Sequence, residues 1–219
     1  MSNCAIIVAA GLSRRMGFDK LAADLAGVPV LRRSVEAFLN CPAIDSLVVV
    51  CPQERFDALL PGPFPKPVIR VDGGDQRQES VQNGISAVPD DTTLVAIHDG
   101  ARPLISSESI IACLDAAGQY GAATVARPIT ETIKRADQNG FTRTGIERED
   151  LWFMETPQAF RISVLRGAVL AVVTLDLTVT DEVSAAEAIG VSAKIIPSPS
   201  PNLKITTPSD LRLAAALLQ

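Results

Sequence analysis

Histidine, tryptophan and tyrosine each occur once in the 219 residues, and cysteine four times. With His98 alone, and with Cys4, Cys41, Cys51 and Cys113 nowhere spaced as CxxC, the usual Cys/His zinc cluster cannot be assembled. The cysteines are expected to be reduced thiols, in or near the core. There is no run of about 20 apolar residues, so no membrane-spanning helix is predicted. The opening MSNCAIIVAAGLSRRM puts its arginines after the apolar stretch, the reverse of a secretory signal, and the expected compartment is the cytoplasm. A P-loop ending in GKS or GKT is missing, as are a GxGxxG dinucleotide fingerprint and a GxSxG nucleophile elbow. Positive charge is also in the minority. Lys plus Arg is 20 and Asp plus Glu is 25, a formal charge of −5, which argues against general nucleic-acid binding.

What is present is a chain rich enough in apolar residues to fold: 47% hydrophobic against 21% charged. Its length suits one α/β domain, residues 1–219, that buries a sizeable core. Short apolar runs alternate with helical patterns. Strands are predicted at Cys4–Ala9, Ser46–Cys51, Val68–Val71, Leu94–His98, Ala122–Ala126 and Ala193–Ile196, with a further segment at Leu151–Glu155. Helices are predicted at Pro29–Phe38, Glu54–Leu60, Gln78–Ala87, Glu108–Ala117, Arg161–Thr174 and from about Asp181. Thr207-Pro208-Ser209-Asp210 supplies a cap, a proline at the first helical position and an acid three residues after the cap, which starts a terminal helix. This rhythm predicts a mostly parallel sheet covered on both faces, with ligands beyond the carboxyl ends of its strands. Between about 129 and 150 the pattern breaks. Two β-like stretches, Glu131–Arg135 and Phe141–Ile146, flank a turn at Asp137–Gly140 and carry too few apolar residues for a central sheet. A projecting β-arm, buried by a partner subunit, is the expectation.

Three segments at strand ends can carry chemistry. Ala9–Gly17 follows the first strand with small residues, Ser13 and two arginines. Ala10 and Gly11 allow backbone N–H groups close to a phosphate, while Arg14 and Lys20 supply cations. Gly73-Gly74-Asp75 through Ser80 brings backbone, Asp75 and the Ser80 hydroxyl toward a base or ribose. His98–Pro103 contains Asp99, a candidate metal or hydroxyl ligand, and Arg102, a candidate anion ligand. His98 itself is read as a satisfied core residue. Lys204, amid the strand-like segment Asn202–Thr206, reads as a targeted charge. Basic or glycine-rich clusters at three strand ends imply two phosphorylated ligands. Phosphoryl or nucleotidyl transfer is the matching chemistry, since it needs positioning and charge neutralisation rather than a protein nucleophile.

The set AAGLSRRM (9–16), GGDQRQESV (73–81), HDGARPLI (98–105), ETIKRA (131–136), TPQAF (156–160), TVTDEVSAAE (178–187) and NLKIT (202–206) resembles the 2-C-methyl-D-erythritol 4-phosphate cytidylyltransferases. The motifs occur in that family's order and cover essentially the whole chain. The resemblance implies a Rossmann-like, three-layer αβα nucleotidyltransferase core with a protruding β-arm that interlocks a homodimer. It implies CTP and Mg²⁺, with CMP transferred to the polyol phosphate. Ala10, Gly11, Ser13, Arg14, Gly74, Asp75 and Ser80 would bind CTP. Arg14, Lys20 and Lys204 would be the catalytic cations. Asp99, Arg102 and Thr156 would face the acceptor, joined by Thr132 and Arg148 from the partner's arm. Asp99 would also lie near the metal, held mainly by CTP phosphates. Two places depart from the family's pattern. Gly17-Phe18-Asp19-Lys20-Leu21 stands where the family usually has a longer loop ending in Pro-Lys-Gln, and Glu131 stands where it commonly has Asp. The alternatives are a cytidylyltransferase for ribitol 5-phosphate or another polyol phosphate, and a non-catalytic nucleotide-binding protein on the same fold.

Overall fold

The first strand shows how one short segment organises the rest. In the computed structural model, which describes residues 2–11 and 17–218, β1 spans Ser2–Val8. Its Cys4 and Ile6 enter one apolar cluster, its Ala5 and Ile7 another. A strand with two buried faces belongs in the middle of a sheet covered on both sides. The chain continues through a small ribbon, β2 (Asp24–Leu25) and β3 (Val28–Pro29), into α1 (Val30–Leu39), β4 (Ser46–Val50), α2 (Gln53–Leu59), β5 (Val68–Val71), α3 (Arg77–Ser86), β6 (Thr92–Asp99), α4 (Ser107–Tyr120) and β7 (Ala122–Pro128). After the hairpin β8 (Ile133–Ala136) and β9 (Thr142–Ile146) come β10 (Trp152–Arg161), α5 (Ile162–Thr174), α6 (Glu182–Glu187), β11 (Lys194–Pro197) and α7 (Pro208–Ala216).

The main sheet has seven strands in the order β11-β7-β10-β6-β1-β4-β5. Residues of α1, α4 and α7 pack on one face and those of α3, α5 and α6 on the other, giving three layers. The register brings the ends of the central strands level: Val8 lies opposite both Asp99 on β6 and Val50 on β4. Two bonds past the strand, Gly100 N–H to the Val8 carbonyl and Ala9 N–H to the Val50 carbonyl, hold the emerging loops together. The terminal helix starts as its sequence predicts, with Thr207 Oγ1 accepting from Asp210 N–H and Asp210 Oδ2 accepting from Thr207 N–H.

The sheet is mostly parallel, as expected, with one strand reversed: β10 runs past Glu155 to Arg161 and is antiparallel to both β6 and β7. Pro157 hides this strand in the sequence: it has no N–H to donate, and the pairing with β7 slips between Met154 and Gln158. The segment Asn202–Thr206 is irregular rather than a strand. It is anchored instead by Ile205 N–H on the Ala101 carbonyl, beyond the end of β6. The arm does form. β8 and β9 make a separate two-stranded sheet, and Phe141 at its turn is 71% exposed.

His98 sits in the core as expected, with no exposed surface, its ring centroid 4.8 Å from that of Phe38. Its Nε2 faces the Arg102 carbonyl at 3.0 Å and its Nδ1 the Thr156 hydroxyl at 3.1 Å. A carbonyl can only accept, so Nε2 carries the proton and Nδ1 accepts from Thr156; this tautomer is assigned from its partners. Burial lowers the pKa of the imidazole to about 4, against smaller opposing effects of the Arg102 carbonyl and the Asp99 charge. Because the folded value lies below the unfolded one, the unfolded chain binds more protons between pH ~6.5 and 4, and stability falls as pH drops through that window. The ring resonances of this single histidine should titrate with a midpoint near 4 by NMR. A midpoint near 6.5 would mean the ring is solvated.

Candidate functional site

The carboxyl ends of β1, β5 and β6 open onto a cavity of about 780 Å³. Its wall includes Ala10 and Gly11 after β1, Gly73, Gly74 and Asp75 after β5, and Asp99 at the end of β6. Lys20, Arg77 and Lys204 add three cations from well-separated parts of the chain.

Asp99 is the centre of the charge. Its Oδ2 lies 2.7 Å from Lys204 Nζ and 3.8 Å from Arg102 Nε, while Oδ1 lies 3.5 Å from Arg77 Nε. Burial opposes its ionisation, but the Lys204 ammonium and the two guanidiniums outweigh burial and hold the carboxyl below the usual carboxylate range. Its backbone N–H donates to Thr156 Oγ1 at 3.1 Å, so that hydroxyl fixes the end of β6 from behind. Lys204 is in turn placed by its neighbours. Asn202 Nδ2 donates to Glu155 Oε2 and to the Thr156 carbonyl, and Lys20 Nζ donates to the Ile205 carbonyl at 2.9 Å. Lys20 and Lys204, far apart in sequence, thus flank one short irregular segment.

The glycine turn is shaped from inside α3. Ser80 Oγ accepts from Gly74 N–H at 3.1 Å, and Glu79 Oε2 accepts from Asp75 and Gln76 N–H at 2.7 and 3.2 Å. Ser80 therefore lines the cavity while its hydroxyl holds the loop. A β-carbon on Gly73 would collide with Ala10 across the cavity floor, and one on Gly74 would collide with Glu79. Both positions need glycine for close approach.

The predicted residues do not all converge. Ala10, Gly11, Lys20, Gly74, Asp75, Ser80, Asp99 and Lys204 share the cavity. Ser13 and Arg14 lie outside the described residues. Arg102 is on the far side of Asp99, its side chain 11% exposed and donating to the Asn202 carbonyl at 2.8 Å. Thr156 is buried with its hydroxyl turned toward His98 and Asp99. Thr132 and Arg148 are exposed beside the arm, and Arg148 donates to the Thr130 carbonyl. Among the described residues, Arg102 Nε and Asn202 Oδ1 are buried without a hydrogen-bond partner. The donor set does not suit a metal ion held by the chain itself. Among the described residues no three His, Cys, Asp or Glu side chains cluster, and Asp99, the buried carboxylate on the cavity wall, already faces three cations.

Sequence reasoning missed Arg77. It forms a two-pronged pair with Glu182 at 2.6 and 3.0 Å, while its Nε edge turns to Asp99. Glu182 is buried at the start of α6, where Gln158 Oε1 accepts from the N–H groups of Glu182 and Val183. A signal did exist. An arginine opening a helix faces the positive end of the helix dipole, so its charge has to be answered from elsewhere.

A family model for IspD, 2-C-methyl-D-erythritol 4-phosphate cytidylyltransferase, matches residues 3–219. A 2-C-methyl-D-erythritol 4-phosphate cytidylyltransferase of Pelotomaculum thermopropionicum is 39% identical over 222 residues, 98% of this chain and 93% of that protein. A bifunctional IspD/IspF enzyme of Desulforudis audaxviator is 43% identical over 221 residues, and the chain spans 56% of its length. The 4-diphosphocytidyl-2C-methyl-D-erythritol synthase structure from Anaerococcus prevotii is similar with a TM-score of 0.86 at 26% identity, over 100% of this chain and 98% of that one.

Replacing Gly73 with Ala is expected to weaken nucleotide binding by ~10-fold, about 1.4 kcal/mol, with the fold retained. Titration calorimetry checks this, and unchanged affinity would show that the turn can move away from Ala10.

Proposed function

The chain belongs to the 2-C-methyl-D-erythritol 4-phosphate cytidylyltransferase family, and from that premise we propose how its cavity works. The enzyme is a CTP-dependent cytidylyltransferase that moves CMP to 2-C-methyl-D-erythritol 4-phosphate and releases pyrophosphate. The observation that carries the assignment of roles is the convergence of Lys20, Arg77 and Lys204 on one cavity beside a glycine turn.

In this reading the turn at 73–75, with Ser80 behind it, receives cytosine and ribose. The N-terminal loop, with Ala10, Gly11, Ser13, Arg14 and Lys20, holds the triphosphate. A phosphate oxygen of the acceptor attacks the α-phosphorus in line, the bond to the bridging oxygen breaks, and pyrophosphate leaves. The charge that builds on the phosphoryl oxygens is met by Arg14, Lys20 and Lys204, and of these Lys20 and Lys204 are positioned before the reaction starts, by the Ile205 carbonyl and by Asp99. No general base is assigned, because a phosphate monoester is already largely dianionic near neutral pH. Asp99 holds Lys204 and Arg102 in place. Mg²⁺ would enter with the triphosphate and supply charge neutralisation there, and Asp99 is the carboxylate this reading assigns to that region.

Thr132 and Arg148 belong to the proposal only through a second copy. Within one chain they are exposed on the arm, which supports a homodimer in which each arm completes its partner's acceptor pocket. Thr156 contributes to that pocket by fixing Asp99. A cytoplasmic setting is part of the same reading, supported by four buried free cysteines.

Pyrophosphate release, measured with CTP, UTP, ATP and GTP against methylerythritol phosphate and ribitol 5-phosphate, should be confined to CTP with methylerythritol phosphate. Release with ribitol 5-phosphate would redirect the acceptor assignment, and tight CTP binding without release would favour a non-catalytic protein. Lys204→Ala should lower turnover by at least ~100-fold, the scale of losing one transition-state donor, with folding intact. Near-normal turnover would remove Lys204 from the mechanism. Sedimentation should find a dimer, and shortening the arm between Ala136 and Thr142 should leave CTP binding while raising KM for the acceptor.

A further inference from the structure

Arg55 lies on α2, a short helix with no fully buried residue, yet only 11% of its side chain is exposed. An arginine sheltered to that degree is expected to be paired, and this one is paired twice. Its Nη1 donates to the carbonyl of Ala9. Its Nε and Nη2 both reach Asp19 Oδ2, at 3.1 and 3.0 Å. The other carboxylate oxygen of Asp19 accepts from Leu21 N–H at 3.0 Å. Ala9 is the last residue before the N-terminal loop and Asp19 stands directly before Lys20, so one guanidinium ties both ends of the segment 10–18.

The tie sits at the cavity wall. Ala9, Ala10 and Gly11 line the cavity from one foot of the loop, and Lys20 and Leu21 from the other, whereas Arg55 itself is not part of the lining. The Ala9 N–H is already fixed on the Val50 carbonyl, so that foot is anchored to the sheet. Through Arg55 the same anchor extends to Asp19, and from there to Lys20. Asp19 belongs to the stretch that departs from the family's pattern, and this contact gives its carboxylate a purpose.

We propose that Arg55 and Asp19 are positioning residues that set the separation of the two loop feet and so tune the site for a nucleoside triphosphate over a monophosphate. The proposal rests on the reading of the N-terminal loop as the triphosphate cradle. Neither residue touches the reacting atoms. What they supply is preorganisation: the feet do not have to be brought together when the phosphates arrive. The base and ribose are held elsewhere, by the glycine turn, so a monophosphate has little to lose when the tie is cut.

The test compares CTP and CMP binding by calorimetry, together with steady-state kinetics, in Asp19→Asn, Arg55→Lys, the double variant and Arg14→Ala. Asp19→Asn keeps an oxygen for Leu21 N–H and removes the charge facing Arg55, and melting curves verify that each variant folds. CTP affinity should fall about fivefold or more while CMP affinity changes less than twofold. KM for CTP should rise with kcat nearly constant, the mark of lost uniform binding. The double variant should be no worse than the weaker single one, because both cut the same tie. Equal weakening of CTP and CMP would reduce the contact to a fold-stabilising one and overturn the proposal. Loss of the CTP preference in Arg14→Ala but not in the tie variants would overturn the tie and keep the loop reading. An unchanged preference in Arg14→Ala would overturn the loop reading and the tie with it.

Discussion

A carboxylate buried at the end of a central strand has to be answered by cations, and the need to answer Asp99 shapes this site. Three parts of the chain converge to do so: Arg77 at the start of α3, Arg102 just beyond β6, and Lys204 from the irregular segment before α7. An unpaired charge at this depth costs several kcal/mol, on the order of 3–5 when one partner of a buried pair is removed. The cations therefore cannot drift, and each brings its own backbone with it. The segment around Lys204 is held at the cavity by this pairing, by Ile205 on the Ala101 carbonyl and by Asn202 on Glu155 and the Thr156 carbonyl. The wall of the pocket is a consequence of charge satisfaction as much as of apolar packing.

The part of the fold legible in the sequence was the part set by local pattern. β1 and β4 are continuous apolar runs because both of their faces are buried, and Val68–Val71 stands out between prolines and glycines. The cap at Thr207 is readable because a hydroxyl before a helix has one common use. What could not be read was set by long-range pairing. β10 looks like a strand that stops at Glu155, since Pro157 breaks the pattern. Only the presence of β6 and β7 on either side shows that Gln158–Phe160 resume the ladder. Asn202–Thr206 fails the opposite way. Its composition resembles a strand, but its residues serve as an anchor beyond the sheet.

The site divides in the same manner. Glycines and cations directly after strands declare themselves, because topology puts strand ends where ligands bind. Ser80 was expected to face the ligand, and its hydroxyl is engaged by Gly74 N–H and the Gln76 carbonyl instead, so its effect on a ligand passes through the loop it holds. Arg77, Glu182 and Arg55 were hidden because each is defined by a partner distant in sequence: Glu182 for Arg77, and Ala9 with Asp19 for Arg55. No single-segment motif can report a pair of that kind.

One consequence concerns how a net acidic protein builds a site for two anionic substrates. On the cavity wall Lys204 is matched by Asp99 and Arg77 by Glu182, and behind the wall Arg55 is matched by Asp19. Pairing of this kind keeps the free site from being a field of unscreened positive charge, which would repel itself and recruit anions without selection. It also fixes the guanidinium and ammonium groups in advance, so an incoming phosphate meets oriented donors and spends little on ordering them. Under the proposed roles, the carboxylates are then not competitors of the substrate but supports for the cations that would receive it. Arg77 illustrates the division: Glu182 takes the two Nη donors, and the Nε edge is left to face Asp99 and the cavity. A formal charge of −5 and a cation-lined pocket are compatible for this reason, since what matters to the phosphates is which donors point inward.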